Sequence, residues 1–323
     1  MSDRKTKTGF AIFIIIVLVA IIVTIISVVI ISDGRSRDNN TEWFSPKTLI
    51  SNRRPKGPYI AEVAVTGVIS EGNDSYNQKW LLSTITELAD DTNNVGLLLF
   101  IDSPGGSVYE ADEVYLALCD YKAHGKPIYA YLGSLAASGG YYIACAADTI
   151  YANRNTLTGS IGVIASQSVD ATALLNRIGV KIETFTAGKN KNMLNFNSPL
   201  TEEQRNIMLE IAREAYDQFT GIVAESRSLD IAEVRRLADG RLYTAQQAKN
   251  NDLIDAIGSK DEALDALRVS CGDSYNVVPY EYTYEPPFMQ WLRGQIGVND
   301  TARTLSSVLH VPSVRYPAYL YIE

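Results

Sequence analysis

A chain of 323 residues, 46% of them hydrophobic and 20% charged, has room for one or two globular domains and a sizeable core. Its formal net charge is −8, but Arg4, Lys5 and Lys7 against Asp3 leave the first 32 residues at +2 and the remainder at −10. An acidic body without a basic patch or interleaved aromatics argues against nucleic-acid binding. The three cysteines, Cys119, Cys145 and Cys271, are far apart and form no Cys-x-x-Cys pair, which argues against a zinc site and excludes a full disulfide framework. Cys145 lies in an alanine-rich apolar run and reads as a buried small hydrophobe.

Residues 9–32 carry no charge. A membrane-spanning helix needs about 20 such residues, and the run is too long for a signal-peptide core and lacks an Ala-x-Ala cleavage site. It reads as an uncleaved anchor. The basic residues precede it, so residues 1–8 are expected in the cytoplasm and the body beyond the cell membrane. Residues 33–58, with Asp33-Gly34, Asn39-Asn40, Pro46, Arg53-Arg54-Pro55 and Gly57-Pro58, read as a polar linker.

From Tyr59 the pattern becomes that of an α/β domain. Residues 60–66 are mostly apolar and rich in β-branched residues, a strand ending at Gly67. Residues 76–91 place Leu81, Leu82, Ile85 and Leu88 on one helical face. The wholly apolar run 95–101 reads as a strand buried on both sides. The breaker cluster Asp102-Ser103-Pro104-Gly105-Gly106-Ser107 follows, then a helix over 109–122, a turn at His124–Pro127 and a strand over 128–132. A helix over 141–147 and a strand over 149–152 come next. Strand, glycine loop and helix in repetition predict a parallel sheet with its loops, and hence its ligands, at one end.

Downstream, Thr158–Val163 is a glycine-spaced turn, 174–180 a helix end and 182–186 a strand. Residues 199–227 form a long amphipathic helix, acidic at its start in Glu202-Glu203. Short helices over 231–238 and 244–250 flank Gly240, and Leu253 and Ile254 pack back on the body. The stretch 275–284 is tyrosine-rich, 288–296 fits a short amphipathic helix and 312–323 is extended and apolar.

The chemistry centres on Ala136-Ala137-Ser138-Gly139-Gly140-Tyr141-Tyr142. Small residues on both sides of a serine allow the sharp strand-to-helix turn of a nucleophile elbow, with Ala136 in place of the first glycine. A serine that merely fills a tight helix contact would leave the same letters. A nucleophilic serine needs a base. The chain has two histidines, His124 in a turn and His310 in the tail, so a lysine kept neutral by desolvation is the better candidate. Ala187-Gly188-Lys189-Asn190-Lys191 offers two, and the residues alone choose neither. The oxyanion needs two backbone N–H donors. Gly139 is one candidate, and Gly105 or Gly106, on the neighbouring βα loop, is the other.

These motifs, followed by Leu157-Thr158-Gly159-Ser160-Ile161-Gly162, Gly188-x-x-Lys191 and Ala238-Asp239-Gly240-Arg241-x-Tyr243, resemble the short-form bacterial signal peptide peptidases of serine peptidase family S49. The resemblance covers 59–258 and leaves 259–323 as an extension of unknown role. It implies a ClpP/crotonase-like fold of ββα units, Ser138 as nucleophile, Lys191 as general base and Ser160 as the serine that orients the lysine. It also implies a homo-octameric dome in which the serine of one subunit meets the lysine of a neighbour, with remnant signal peptides and other unfolded or membrane-derived peptides as substrates. No cofactor and no metal are expected. The sequence departs from the family pattern in Asn190 and Asn192 beside the lysine, in a longer 189–199 loop and in Asn250-Asn251. Two other readings are a catalytically silent membrane scaffold and a crotonase-type acyl-thioester enzyme.

Overall fold

A computed structural model describes residues 57–284. The anchor, nearly all of the linker, the 288–296 helix and the 312–323 segment lie outside them. Among the described residues no helix is long and apolar enough to cross a membrane.

The chain alternates strand and helix: β1 (Tyr59–Thr66), α1 (Gln78–Asp90), β2 (Asn94–Ser103), α2 (Val108–Ala123), β3 (Ile128–Ala137), α3 (Gly139–Ala144) and β4 (Thr149–Ala152). β5 (Leu157–Gly159), α4 (Thr172–Arg177), α5 (Glu202–Arg227), α6 (Ile231–Leu237), β6 (Leu242–Thr244), α7 (Ala245–Asn250), β7 (Ala256–Ile257), α8 (Lys260–Cys271) and β8 (Asn276–Tyr280) follow. The sheet order is β6-β5-β3-β2-β1-β8, with β4 branching from β3 and β7 from β4. Every pairing is parallel except β5 with β6. The βαβ expectation therefore holds.

The central strands are apolar because both faces are covered. On one face Val63, Leu99, Ile101 and Leu132 meet Leu81, Ile85, Val114 and Tyr121 of α1 and α2. On the other, Ile60, Leu98 and Tyr131 meet Ala263 and Leu267 of α8. Helix ends are closed locally. Asn77 caps α1 by accepting the Trp80 N–H, and Lys126 Nζ closes its far end on the carbonyls of Leu88, Ala89 and Asp91 at 2.7–2.8 Å. Residues 260–280, set apart in the sequence reading, supply α8 and the edge strand β8 beside β1.

Two expectations change. The strand ending at Leu132 continues to Ala137, because β3 exchanges partners: 129–132 pair with β4 and 135–137 with β5. Asp102 Oδ1 stitches the crossover by accepting the Ser134 hydroxyl at 2.8 Å and the Leu135 N–H at 3.1 Å. The strand expected at 182–186 is not formed: these residues are exposed and pair with no strand among the described residues. They belong to an arm from Gly162 to Gln218 in which no residue is buried.

Candidate active site

β3 delivers Ser138 to the sheet end where the strand-to-helix loops gather. Its backbone sits at φ 53°, ψ −121°, and α3 begins at the next residue. A side-chain-bearing residue in so sparsely populated a region costs about 1–3 kcal/mol. The surroundings hold it there: the Ser138 N–H donates to Gly159 O at 2.8 Å, and the Ser138 carbonyl accepts the Tyr142 N–H at 2.9 Å. The hydroxyl is not spent on capping α3. The residue is half-buried, and its hydroxyl makes no hydrogen bond among the described residues.

The Gly105-Gly106 loop lies against this elbow, as two successive βα loops should. A methyl group on Gly105, at φ +97°, would stand 2.7 Å from Gly139 N and 2.8 Å from Ser138 Cβ. One on Gly106 would fall 1.9 Å from Ile69 O. Only glycine permits these approaches. The three candidate donors differ. The Gly105 N–H is taken by Ser103 Oγ at 3.1 Å, whereas those of Gly106 and Gly139 meet no acceptor among the described residues. Two unsatisfied amides of neighbouring loops beside a free hydroxyl form a place where an oxyanion can be received.

Ser160 follows the Gly159 carbonyl that holds Ser138. It too has positive φ, 49°, and its N–H donates to Arg241 O at 2.8 Å. Gly240 N donates to Ile161 O at 3.1 Å. The Asp239-Gly240-Arg241 motif thus braces the strand that braces the elbow, and the Tyr243 hydroxyl donates to Leu237 O at 2.6 Å behind it. Sequence reading had assigned no task to Asp102, Ser103, Arg241 or Tyr243. Their place inside the quoted motifs was the available signal.

Neither lysine hydrogen-bonds to this cluster among the described residues. Lys189 forms an ion pair with Glu203, which also accepts from Asn190 at 3.0 Å. These contacts hold the Glu203 carboxyl below its usual range, the Lys189 hydrogen bond most of all. The Lys191 ammonium is exposed and makes no hydrogen bond or ion pair among the described residues. Its backbone closes a turn, with the N–H on Gly188 O at 3.1 Å. The chain therefore gathers Ser138, Gly106, Gly139 and Ser160, while both lysines sit on the unburied arm with no hydrogen bond to that group among the described residues. His124 caps the far end of α2, a helix of 16 residues and so about 24 Å from the glycine loop; His310 lies outside the described residues.

Behind the elbow, the Tyr141 hydroxyl donates to Leu253 O at 2.7 Å, and burial pushes the Cys145 thiol up to about 12. Cys145 is therefore an inert packing residue. Arg227, 7% exposed, closes on Asp255 with two hydrogen bonds of 2.9 and 2.6 Å, and Asp255 also accepts the Ile150 N–H at 2.7 Å. Among the described residues no group of three or more metal-ligating side chains gathers.

Comparison with known proteins adds the following. Residues 120–272 match the sequence profile of Peptidase family S49. A protein of Enterococcus faecium named "Putative signal peptide peptidase SppA" is 38% identical over 216 residues, 65% of this chain and 62% of that protein. "Putative protease slr0021" of Synechocystis is 36% identical over 236 residues, 73% of this chain and 83% of its own length. The match thus spans less than two thirds of the Enterococcus relative and most of the cyanobacterial one. Among solved structures, a ClpP1 variant from Listeria monocytogenes aligns with a TM-score of 0.45 at 15% identity, over 63% of this chain and 94% of that one. That likeness is too low to assign the fold.

Proposed function

This chain belongs to peptidase family S49, and from that premise we propose that it is a membrane-anchored serine endopeptidase of ClpP/crotonase-like fold with a Ser138–Lys191 dyad. The observation that carries the reading is the Ser138 elbow: a strained serine with an unspent hydroxyl beside the free amides of Gly106 and Gly139. In the acylation step Ser138 Oγ attacks the peptide carbonyl carbon, and its proton passes to the neutral lysine amine. The oxyanion rests on Gly106 and Gly139 N–H. When the C–N bond breaks, the lysine returns the proton to the leaving amine. Water then repeats the sequence on the ester and releases Ser138.

The lysine comes from another copy. Lys191 is exposed in its own chain, and desolvation is what favours the neutral amine that a base requires. The arm that carries it exposes Ile164, Val169, Leu174, Ile178 and Phe185, apolar side chains that a partner surface would cover. Packing that arm over the elbow of a neighbour would desolvate Lys191, place it near Ser138 and Ser160, and close a ring, of eight copies in the form that the resemblance implies. Such a ring admits unfolded peptides, including signal-peptide remnants in the membrane to which the uncharged 9–32 run would tether it.

The test treats the full chain in detergent with a fluorophosphonate probe, with Ser138→Ala, Lys191→Ala and their mixture alongside. Labelling of Ser138 that vanishes in Lys191→Ala, with peptidase activity partly restored on mixing, is expected. No labelling of assembled protein would replace this reading with the silent scaffold. Labelling that survives in Lys191→Ala would remove the lysine from the dyad.

A further inference from the structure

Three helices lead away from the three parts of the proposed machinery. α2 begins two residues after Gly106, α3 begins directly after Ser138, and α5 brings the arm back to the core. They meet at one point. The Tyr142 hydroxyl, on α3, donates to Asp112 Oδ1 of α2 at 2.6 Å. The Gln218 amide, on α5, donates to the same Asp112 oxygen at 2.9 Å and to the Tyr142 hydroxyl at 2.7 Å. Each side chain thereby bonds the other two in a closed ring. The Tyr142 ring meets Tyr115 edge-on, centroids 5.5 Å apart at 73°, and Phe219 in a tilted contact at 5.1 Å. Gln218 is the last residue of the unburied arm, and Phe219 is the first buried one after it.

We propose that Gln218, Asp112 and Tyr142 are positioning residues that lock the nucleophile helix to the oxyanion-loop helix and register both against the lysine-bearing arm. The inference rests on Ser138 being the nucleophile. Apolar packing alone lets helices slide and rotate slightly against one another, whereas hydrogen bonds shared among three elements fix direction. Tyr142 stands one helical turn after Ser138, so rotation of α3 would move both the hydroxyl and the Gly139 N–H. A displacement near 1 Å at a reacting centre costs up to about a hundredfold in rate. Burial of the phenol raises its pKa, helped by the Asp112 hydrogen bond, so Tyr142 remains a donor at neutral pH.

The experiment compares Tyr142→Phe, Gln218→Ala, Asp112→Leu and Asp112→Asn in the full chain. It reads kcat and KM on an unfolded reporter peptide, the rate of fluorophosphonate labelling, and Tm. The expected result is a fall of about tenfold to a hundredfold in kcat and labelling rate for the first three, with KM and assembly little changed. Asp112→Asn, whose amide oxygen can accept both bonds, should keep most of the activity. Tyr142→Phe with Gln218→Ala should cost little more than either alone, because both break one ring. Unchanged kcat in Tyr142→Phe and Gln218→Ala, while Ser138→Ala remains inactive, overturns the proposal and leaves the nucleophile in place. Losses that only track falling Tm or rising KM overturn it too. Turnover by Ser138→Ala would instead overturn the nucleophile reading beneath it.

Discussion

The sheet body and the 162–218 arm are both well supplied with branched apolar residues, and they bury them to opposite extents. In the body, Val63, Leu99, Ile101 and Leu132 are fully enclosed, and the apolar faces of α1 and α2 close over them. In the arm, Ile164 is 79% exposed and Phe185 87%. The body satisfies its own hydrophobic demand, so the elbow inherits a rigid frame. The arm leaves its apolar side chains, and Lys191 with them, exposed in the single chain. Hydrophobicity in a sequence thus reports where burial is needed, and one chain need not supply it.

Substitutions can break or sharpen that contrast. The largest effect is expected from Gly106→Ala. The new methyl would fall 1.9 Å from a backbone oxygen of Ile69, which cannot swing aside. A destabilisation of about 3 kcal/mol or more should appear in denaturant unfolding, with loss of labelling at Ser138; normal stability would mean the glycine loop is looser than described.

An intermediate effect is expected from Arg227→Ala. It removes a nearly buried guanidinium from Asp255 and should cost about 2–3 kcal/mol. Burial works against the Asp255 carboxylate, but the Arg227 hydrogen bond and the Ile150 N–H together hold its pKa below the ordinary 3.8. The folded-state value is depressed, so the pair's contribution is complete above pH 3.8 and fades as pH falls through the lower folded value. Acid unfolding curves should therefore show that low-pH loss in the native chain and lack it in Arg227→Ala. The same acid limb in both would place the titration elsewhere.

The smallest stability effect is expected from Ile164→Ser with Phe185→Ser, within about 0.5 kcal/mol, because neither side chain is buried. Sedimentation should nonetheless show a shift toward smaller assemblies. A large loss of stability in isolated monomer would mean that the arm packs on its own body after all.

The same contrast explains what could be read from sequence. The 95–101 run, the helical face at Leu81, Leu82, Ile85 and Leu88, and the two glycine loops announced the parallel α/β core and the elbow, because local pattern and tertiary environment agree there. β3 past Leu132 was hidden, since Gly133-Ser134 looks like a breaker until Asp102 is seen stitching it. Residues 182–186 carried a strand's composition but lacked the neighbour that a strand requires. Choosing Gly106 over Gly105 needed the Ser103 hydroxyl, and the Gln218–Asp112–Tyr142 ring joins residues up to 106 positions apart. No local pattern records such pairings.

The bracing of the elbow also sets an order of events during synthesis. Ser138 is held by Gly159, the next strand by Arg241, and the nucleophile helix by Leu253. A growing chain that has already made its serine therefore lacks the partners that strain it into shape until about a hundred more residues have been added. Until those last partners arrive, the turn that presents the Ser138 hydroxyl lacks the contacts that hold it.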